Sequence, residues 1–170
     1  MAENRRVIIM DILQNSFKPV KGGDLAEKLG VSRQVIVQDI ALLRAQGEEI
    51  VATPQGYFIA KSQDNSRVKK ILPCIHETYE DMRKELEIIV KMGGKVLDVY
   101  IEHPLYGEIK GNLMLESIDD VNNFVDNLIE KKAEPLAVLT KGVHLHTVEA
   151  KTMDILEKIE IDLKKAELLL

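Results

Sequence analysis

The stretch that decides the fold of the N-terminal part is DLAEKLGVSRQVIVQDIALLRAQG, residues 24–47. It predicts two short helices joined by a tight turn at Gly30. Ser32 is placed to begin the second helix, because its hydroxyl can accept a backbone N–H of the first turn. Four apolar residues recur at helical spacing in the second helix: Val35, Ile36, Ile40 and Leu43. They predict a helix that is buried along one side only.

The other side of this second helix carries long polar side chains. Arg33, Gln34, Gln38 and Arg44 all lie off the apolar stripe. Such side chains read base edges or hold phosphates when a helix lies in the major groove of DNA. We therefore expect a helix-turn-helix that presents Ser32, Arg33, Gln34, Gln38 and Arg44 to DNA. An ordinary helical hairpin packed in a core is the alternative.

The flanking segments extend this pair to a larger module. Four upstream apolar residues predict a third amphipathic helix that ends before Pro19: Val7, Ile8, Ile12 and Leu13. Downstream, the apolar runs 50–52 and 57–60 bracket the sequence TPQG at 53–56. Pro at the second and Gly at the fourth position favour a type I turn, and therefore a hairpin. Three helices followed by a hairpin is the order of a winged helix.

Residues from about 5 to 60 resemble the small winged-helix domain at the front of biotin-ligase repressors and related regulators. The shared pattern is LGVSRQVIVQDIALLRAQG at 29–47, followed by GYFI at 56–59. The resemblance implies a domain that binds operator DNA. Biotin ligase itself is not expected, because the Gly- and Arg-rich adenylate-binding motif is absent and the remaining chain is too short.

Charge and cysteine content limit the classes of protein that fit. The 170 residues have a net charge of −5, but residues 1–60 contain seven basic and seven acidic side chains. A neutral module holds DNA phosphates only modestly as a monomer, which favours a homodimer. The single cysteine excludes an internal disulfide framework. With no signal peptide and no apolar stretch of membrane-spanning length, we expect a cytoplasmic protein that does not enter a membrane.

The sequence divides into two domains. Residues 61–67, KSQDNSR, contain nothing apolar and predict a linker between a domain at 1–60 and a second at 68–170. The second domain alternates predicted strands with predicted helices. The strands are at 68–75, 96–102, 109–115, 136–140 and 143–150, and the helices at 78–92, 117–132 and 151–169. With two hairpins among them, these elements predict an α/β sandwich with a mainly antiparallel sheet and helices on one face, in an α+β chain.

Two of the four histidines are spaced for metal binding. His144 and His146 lie two residues apart in a predicted strand, so both imidazoles point to the same face and can reach one metal ion. A pair of surface or core histidines is the alternative. His76 ends the first strand of the same domain, just before a helix.

A carboxylate lies on the apolar side of that helix. Glu85 follows Met82 by three residues and precedes Ile89 by four, inside an apolar arc. A buried carboxylate needs a partner, because an isolated buried charge is costly. The alternative is a position at the rim of the core, with the carboxyl group reaching solvent. Three imidazoles and one carboxylate suit Zn, Ni, Fe or Mn, and the sequence does not choose among them.

Residues from about 68 to 168 resemble the 3H domain, which is named for its histidines and follows a winged helix in bacterial niacin-responsive repressors. The resembling pieces are His76, DVYIEHPLYGEIKG at 98–111, EPLAVLT at 134–140 and GVHLHT at 142–147. The resemblance implies metal ligands at His76, Glu85, His144 and His146. It also implies nicotinic acid as the effector, and genes for NAD synthesis or niacin uptake as targets.

Three further residues are candidates near this site. His103 precedes Pro104 at a strand end and is interpreted as a pocket residue, with a structural hydrogen bond as the alternative. Tyr106 could stack on a flat aromatic ligand. Cys74 shares the strand face of His76 and could bind the metal, although lone cysteines are often small buried hydrophobes.

These patterns favour a dimeric DNA-binding transcriptional repressor that senses a small molecule, and not an enzyme. The alternative is a metal-dependent hydrolase with a regulatory winged helix, which requires a general base beside the metal. No H-E-x-x-H pairing of ligand with base is present. A pure interaction module, in which the histidines are structural, is a third hypothesis.

Overall fold

A computed structural model describes residues 1–60 and 66–170, which form two compact units on either side of residues 61–65. Most of the predicted linker at 61–67 therefore lies outside the described residues. The first unit has the predicted order of three helices and a hairpin. Its elements are α1 (Ala2–Asn15), α2 (Gly22–Leu29), α3 (Arg33–Ala45), β1 (Ile50–Thr53) and β2 (Gly56–Ile59).

The helix-turn-helix forms as the sequence predicts. Gly30 ends α2 in the left-handed conformation, with φ of 64°. The backbone N–H of Val35 donates to Ser32 Oγ at 3.4 Å, so Ser32 is the N-cap of α3. The apolar side chains of α3 join those of α1, α2 and β1 in one core: Ile9, Leu13, Leu25, Ala26, Ile36, Ile40, Leu43 and Ile50. In the predicted stripe, Ile36, Ile40 and Leu43 are buried and Val35 is half-buried.

A buried ion pair joins α3 to α1. Asp39 is 3% exposed, and its carboxylate lies 2.5 Å from Arg5 Nε and 3.6 Å from Arg6 Nη1. Asp39 occupies the buried side of α3 because it lies three residues after Ile36 and four before Leu43. The pair links the buried side of α3 to α1.

The segment just before α2 pairs with strand β2 of the hairpin. Val20 pairs with Tyr57 through two backbone hydrogen bonds of 2.8 Å. Gly56 has φ of +131°, and a Cβ there would lie 2.3 Å from the carbonyl oxygen of Val20. Glycine is therefore required where the chain before α2 pairs with β2.

The second unit is an antiparallel sheet covered by helices. Its elements are β3 (Val68–Ile75), α4 (Tyr79–Lys91), β4 (Lys95–His103), β5 (Gly107–Leu115), α5 (Ile118–Glu130), a 3-10 helix (Leu136–Thr140), β6 (Val143–Ala150) and α6 (Met153–Lys165). The strand order is β3-β6-β4-β5, and every pairing is antiparallel. Buried side chains alternate along the strands and share one core with α4, α5 and α6. This confirms the predicted α+β fold class.

The predicted strand at 136–140 is wrong, and so is the hairpin it would have formed with 143–150. Leu136–Thr140 is a 3-10 helix that starts after Pro135 and ends at Lys141, which is left-handed with φ of 52°. The N–H of Gly142 closes this helix on the carbonyl of Ala137 at 2.8 Å. A short apolar run of five residues does not distinguish a strand from a buried helical turn. β6 pairs with β3 and β4 instead.

The last helix is shorter than predicted. α6 ends at Lys165, and the chain then runs along β3. The carbonyl of Leu168 accepts the N–H of Ile75, and the N–H of Leu170 donates to Pro73, both at 3.0 Å. The C-terminal residues thereby pair with the edge of the sheet. In the described parts of the chain, no helix has both the length and the apolar character needed to cross a membrane.

Candidate metal centre and DNA-reading surface

Neighbouring elements bring the four predicted metal ligands to one buried place. β6 turns His144 and His146 to the covered face of the sheet, opposite Cys74 and Leu72 of β3. His76 follows β3, and its N–H donates to the carbonyl of Gly142 at 3.2 Å. Helix α4 begins at the Thr78 cap and lays Glu85 over these rings. All four ligand candidates are buried: His76, Glu85, His144 and His146.

The three imidazoles converge on the Glu85 carboxylate through their Nε2 atoms. His146 Nε2 lies 2.8 Å from Oε1. His144 Nε2 lies 3.3 Å and His76 Nε2 3.4 Å from Oε2. The ring centroids of His144 are 4.5 Å from His76 and 4.8 Å from His146. One divalent ion placed among these atoms would have three nitrogens and a carboxylate around it.

Backbone carbonyls fix the orientation of two rings. His144 Nδ1 donates to the carbonyl of Gly142 at 2.8 Å, and His146 Nδ1 donates to that of Asp98 at 2.6 Å. A carbonyl only accepts, so Nδ1 carries hydrogen in both rings. In the neutral imidazole, Nε2 then presents its lone pair to Glu85. This is the arrangement of a metal-binding histidine, in which the second nitrogen is held by a hydrogen bond.

The environment of Glu85 is itself that expected of a metal ligand. Its side chain is fully buried, and Oε2 has no hydrogen-bond partner among the described residues. An unsatisfied buried carboxylate oxygen is costly unless a cation compensates it. Three nitrogens with one carboxylate form a donor set that divalent transition metals accept. The residues present therefore fit the metal that the resemblance implies.

Electrostatics couple Glu85 to the histidines. Burial raises the pKa of Glu85, but the charge of His146 and the three neighbouring imidazoles outweigh it, and the net pKa lies well below its usual value. Burial lowers the pKa of His146, but the charge and hydrogen bond of Glu85 raise it more. Without a metal, Glu85 and His146 therefore each favour the charged form of the other.

A cavity of about 30 Å³ adjoins the cluster. That volume admits a water molecule or two. Its lining combines the three imidazoles with apolar side chains: His76, Met82, Leu86, Val99, Leu113, Phe124, Ala137, His144 and His146.

The predicted pocket residues His103 and Tyr106 lie elsewhere, at the turn between β4 and β5. The N–H groups of Leu105 and Tyr106 donate to His103 Nδ1 at 3.1 and 3.3 Å. The centroids of the two rings lie 5.0 Å apart with the rings tilted by 36°, and Tyr106 is exposed. Neither residue lines the cavity. His103 thus makes the structural hydrogen bond given above as the alternative.

Asp98 is a contributor that the sequence analysis missed. Its backbone carbonyl holds His146, and its buried carboxylate accepts the N–H of Thr147 at 2.9 Å and lies 3.1 Å from Lys110 Nζ. The register of β4 on β6 shifts by one residue between Val96 and Tyr100, where Asp98 lies. The sequence did contain a signal: Asp98 lies at a position where the alternation of the predicted strand points its side chain towards the core.

The predicted DNA-reading residues lie on α3 and at its N-cap. The set is Ser32, Arg33, Gln34, Gln38 and Arg44, all exposed. The opposite side of α3 is buried in the core of the first unit. This separation leaves the polar side of α3 free to enter a groove of DNA.

Comparison with known proteins gives matches over nearly the whole chain. Residues 69–170 match the 3H domain, and residues 5–58 match an HTH domain. The chain is 46% identical over 163 residues to the probable transcription repressor NiaR of Thermotoga maritima, covering 96% of this chain and 91% of that protein. It is 42% identical over 152 residues to the transcription repressor NadR of Bacillus subtilis, covering 88% and 84%.

Proposed function

This chain belongs to the family of transcription repressors that join an HTH domain to a 3H domain, and we propose that it senses nicotinic acid through a metal ion and controls genes for NAD synthesis or niacin uptake. The convergence of His76, His144 and His146 on Glu85 carries this proposal. The resemblance to niacin-responsive repressors supports the effector, and the names NiaR and NadR agree with it. The hydrolase alternative is set aside, because the relatives are repressors.

The metal is one divalent transition ion, Zn, Ni, Fe or Mn, held by the three Nε2 atoms and Glu85. When bound, it supplies Lewis-acid positions to which a pyridine nitrogen or a carboxylate can add. The carbonyls of Gly142 and Asp98 hold His144 and His146 in place for it. Preorganised ligands lower the cost of binding.

Nicotinic acid needs more room than the cavity of about 30 Å³ offers. The lining must therefore move when the effector enters. Met82 has a flexible unbranched side chain, and Phe124 is only half-buried, so these two are the side chains that we expect to yield. An effector that stabilises the opened arrangement shifts DNA affinity only if it binds one DNA-binding state more tightly than the other.

DNA binding is assigned to residues 1–60 and sensing to residues 68–170, with 61–67 as the linker. In this proposal α3 lies in the major groove of the operator, with Arg33, Gln34 and Gln38 nearest the bases. The 3H domain dimerises the protein. A homodimer doubles the phosphate contacts of a DNA-binding domain that has no net charge.

Operator binding with and without nicotinic acid tests the proposal in matched variants. Glu85→Gln removes the buried charge with little change in shape, whereas Glu80→Gln changes an exposed carboxylate on the same helix. Metal-loaded wild type and Glu80→Gln should both change operator affinity when nicotinic acid is added. Glu85→Gln should bind metal at least about tenfold more weakly and lose the response. An equal response in Glu85→Gln would contradict the proposal.

A further inference from the structure

A fifth donor atom lies at the cluster. Cys74 is fully buried. Its Sγ, a carboxylate oxygen of Glu85 and a ring nitrogen of His144 all lie within 4.8 Å of one another.

The sheet places this thiol beside the histidines by its register. Cys74 is directly opposite His144 in the β3–β6 pairing, and directly opposed side chains are cross-strand neighbours. Cys74 and His76 are two residues apart, as are His144 and His146, so all four side chains belong to the covered face. The site is therefore a Cys-x-His pair beside a His-x-His pair, with Glu85 above them.

An independent observation points to a ligand at this place. Glu85 Oε2 is buried and has no hydrogen-bond partner among the described residues, although two imidazoles lie within 3.4 Å. The carboxylate is thus aimed into the cluster without being satisfied by it. A cation among these donors would satisfy the oxygen.

We infer that Cys74 binds the metal as a thiolate, beside Glu85 and His144; this inference rests on the metal site proposed above. On coordination the sulfur–metal bond forms and the thiol proton passes to solvent, with no change of oxidation state. Charge supports the assignment. A divalent ion with three neutral imidazoles and one carboxylate leaves a net positive charge in a buried site, and a thiolate cancels it.

A thiolate also narrows the choice of metal. Soft sulfur ligands favour Zn, Fe or Ni, whereas oxygen ligands suit Mn. Wild type should therefore discriminate Zn from Mn by a larger factor than a variant that lacks the thiol. Without Cys74, the remaining nitrogens and carboxylate should still bind a metal, but with less discrimination.

Cobalt(II) titration of the full-length protein tests the inference by absorption. Because Cys74 is the single cysteine, a thiolate-to-cobalt charge-transfer band in the near ultraviolet has one source. Wild type should show this band at one cobalt per chain, together with visible d–d bands. Cys74→Ser and Cys74→Ala should lose the ultraviolet band and keep the visible bands.

The outcomes separate this inference from the proposed function. Visible bands without the ultraviolet band in wild type would overturn the role of Cys74 and leave the metal site standing. Persistence of the ultraviolet band in Cys74→Ala would overturn that role as well. No binding of cobalt, zinc or nickel by wild type would overturn both. If the variants fail to fold, the wild-type spectrum alone decides, because no other thiol is present.

Discussion

His146 donates its Nδ1 hydrogen to the backbone carbonyl of Asp98 at 2.6 Å, and its Nε2 lies 2.8 Å from Glu85 as a result. The carbonyl is available because the register of β4 on β6 shifts around Asp98. A local irregularity in the sheet thus holds a candidate metal ligand in its working tautomer.

Asp98→Ala should weaken metal binding. The carboxylate of Asp98 accepts from Thr147 and pairs with Lys110, and these bonds steady the strand segment that holds His146. Loss of such outer support typically costs about tenfold to a hundredfold in metal affinity. Competition with a chelator measures the effect. Glu102→Ala, on an exposed position of the same strand, is the control, and equal affinity in the two variants would remove Asp98 from the site.

Asp39→Ala should destabilise the DNA-binding unit by about 1–3 kcal/mol, because it removes a buried charged hydrogen bond with Arg5 and leaves that guanidinium without its partner. Denaturant unfolding measures the loss. Glu48→Gln, at an exposed position after α3, should change stability by less than about 0.5 kcal/mol. A similar small change in Asp39→Ala would show that the ion pair does not secure α3.

The stability of the metal-free protein should fall as pH rises above about 6.5. The pKa of His146 is raised above its ordinary 6.5, so its contribution is full below that value and is lost as pH rises through the folded pKa. The pKa of Glu85 is lowered, so its contribution is present above about 4.5 and is lost as pH falls through the folded pKa.

The metal-loaded protein should show the opposite trend near neutral pH, because imidazoles must be neutral to bind metal. Thermal unfolding at pH 6 and pH 8, with chelator or with zinc, measures both trends. If thermal stability changed with pH in the same direction with chelator and with zinc, the metal would not be replacing a proton at His146.

Arg33→Ala should weaken operator binding by about 1–3 kcal/mol if its guanidinium contacts a base. The residue is exposed in the first turn of α3. Fluorescence anisotropy with operator DNA gives the affinity, and Lys131→Ala, an exposed cation in the 3H domain, is the control for net charge. Unchanged binding after combined replacement of Arg33, Gln34 and Gln38 by alanine would mean that another surface reads the DNA.

The protein should be a dimer at micromolar concentration through its 3H domain. The DNA-binding residues 1–60 carry no net charge, so one copy has few phosphate contacts to offer. Light scattering with and without operator DNA measures the mass. A monomer under both conditions would contradict the prediction.

The spacing of apolar residues and histidines along the sequence was enough to predict much of the fold and to propose most of the candidate metal ligands. The spacing of His144 and His146 settles their common face in any strand, and the apolar arc of α4 includes Glu85 whichever way the helix packs. Spacing did not predict which strands pair with each other when they lie far apart in the sequence. Whether 136–140 forms a strand depends on which strands β6 pairs with, and these are β3 and β4, both of which lie far from β6 in the sequence.

The residues that the sequence analysis missed share one property, which is that each acts through a distant partner. Asp39 depends on Arg5, and Asp98 depends on Thr147 and Lys110. An aspartate whose spacing points it towards the core must have a polar or charged partner, but the sequence does not show which residue that partner is. His103 shows the converse, since its only described hydrogen bonds are to its own turn.

Calorimetry of nicotinic acid binding to metal-loaded and metal-stripped protein tests the central claim most directly. The loaded protein should bind, and both the stripped protein and the His144→Ala, His146→Ala double variant should bind far more weakly. Loss of these two imidazoles should leave the first unit folded, since the core described for that unit consists of residues between Ile9 and Ile59. Equal affinity in loaded and stripped protein would contradict the claim that the metal carries the effector, and no binding in either would exclude nicotinic acid.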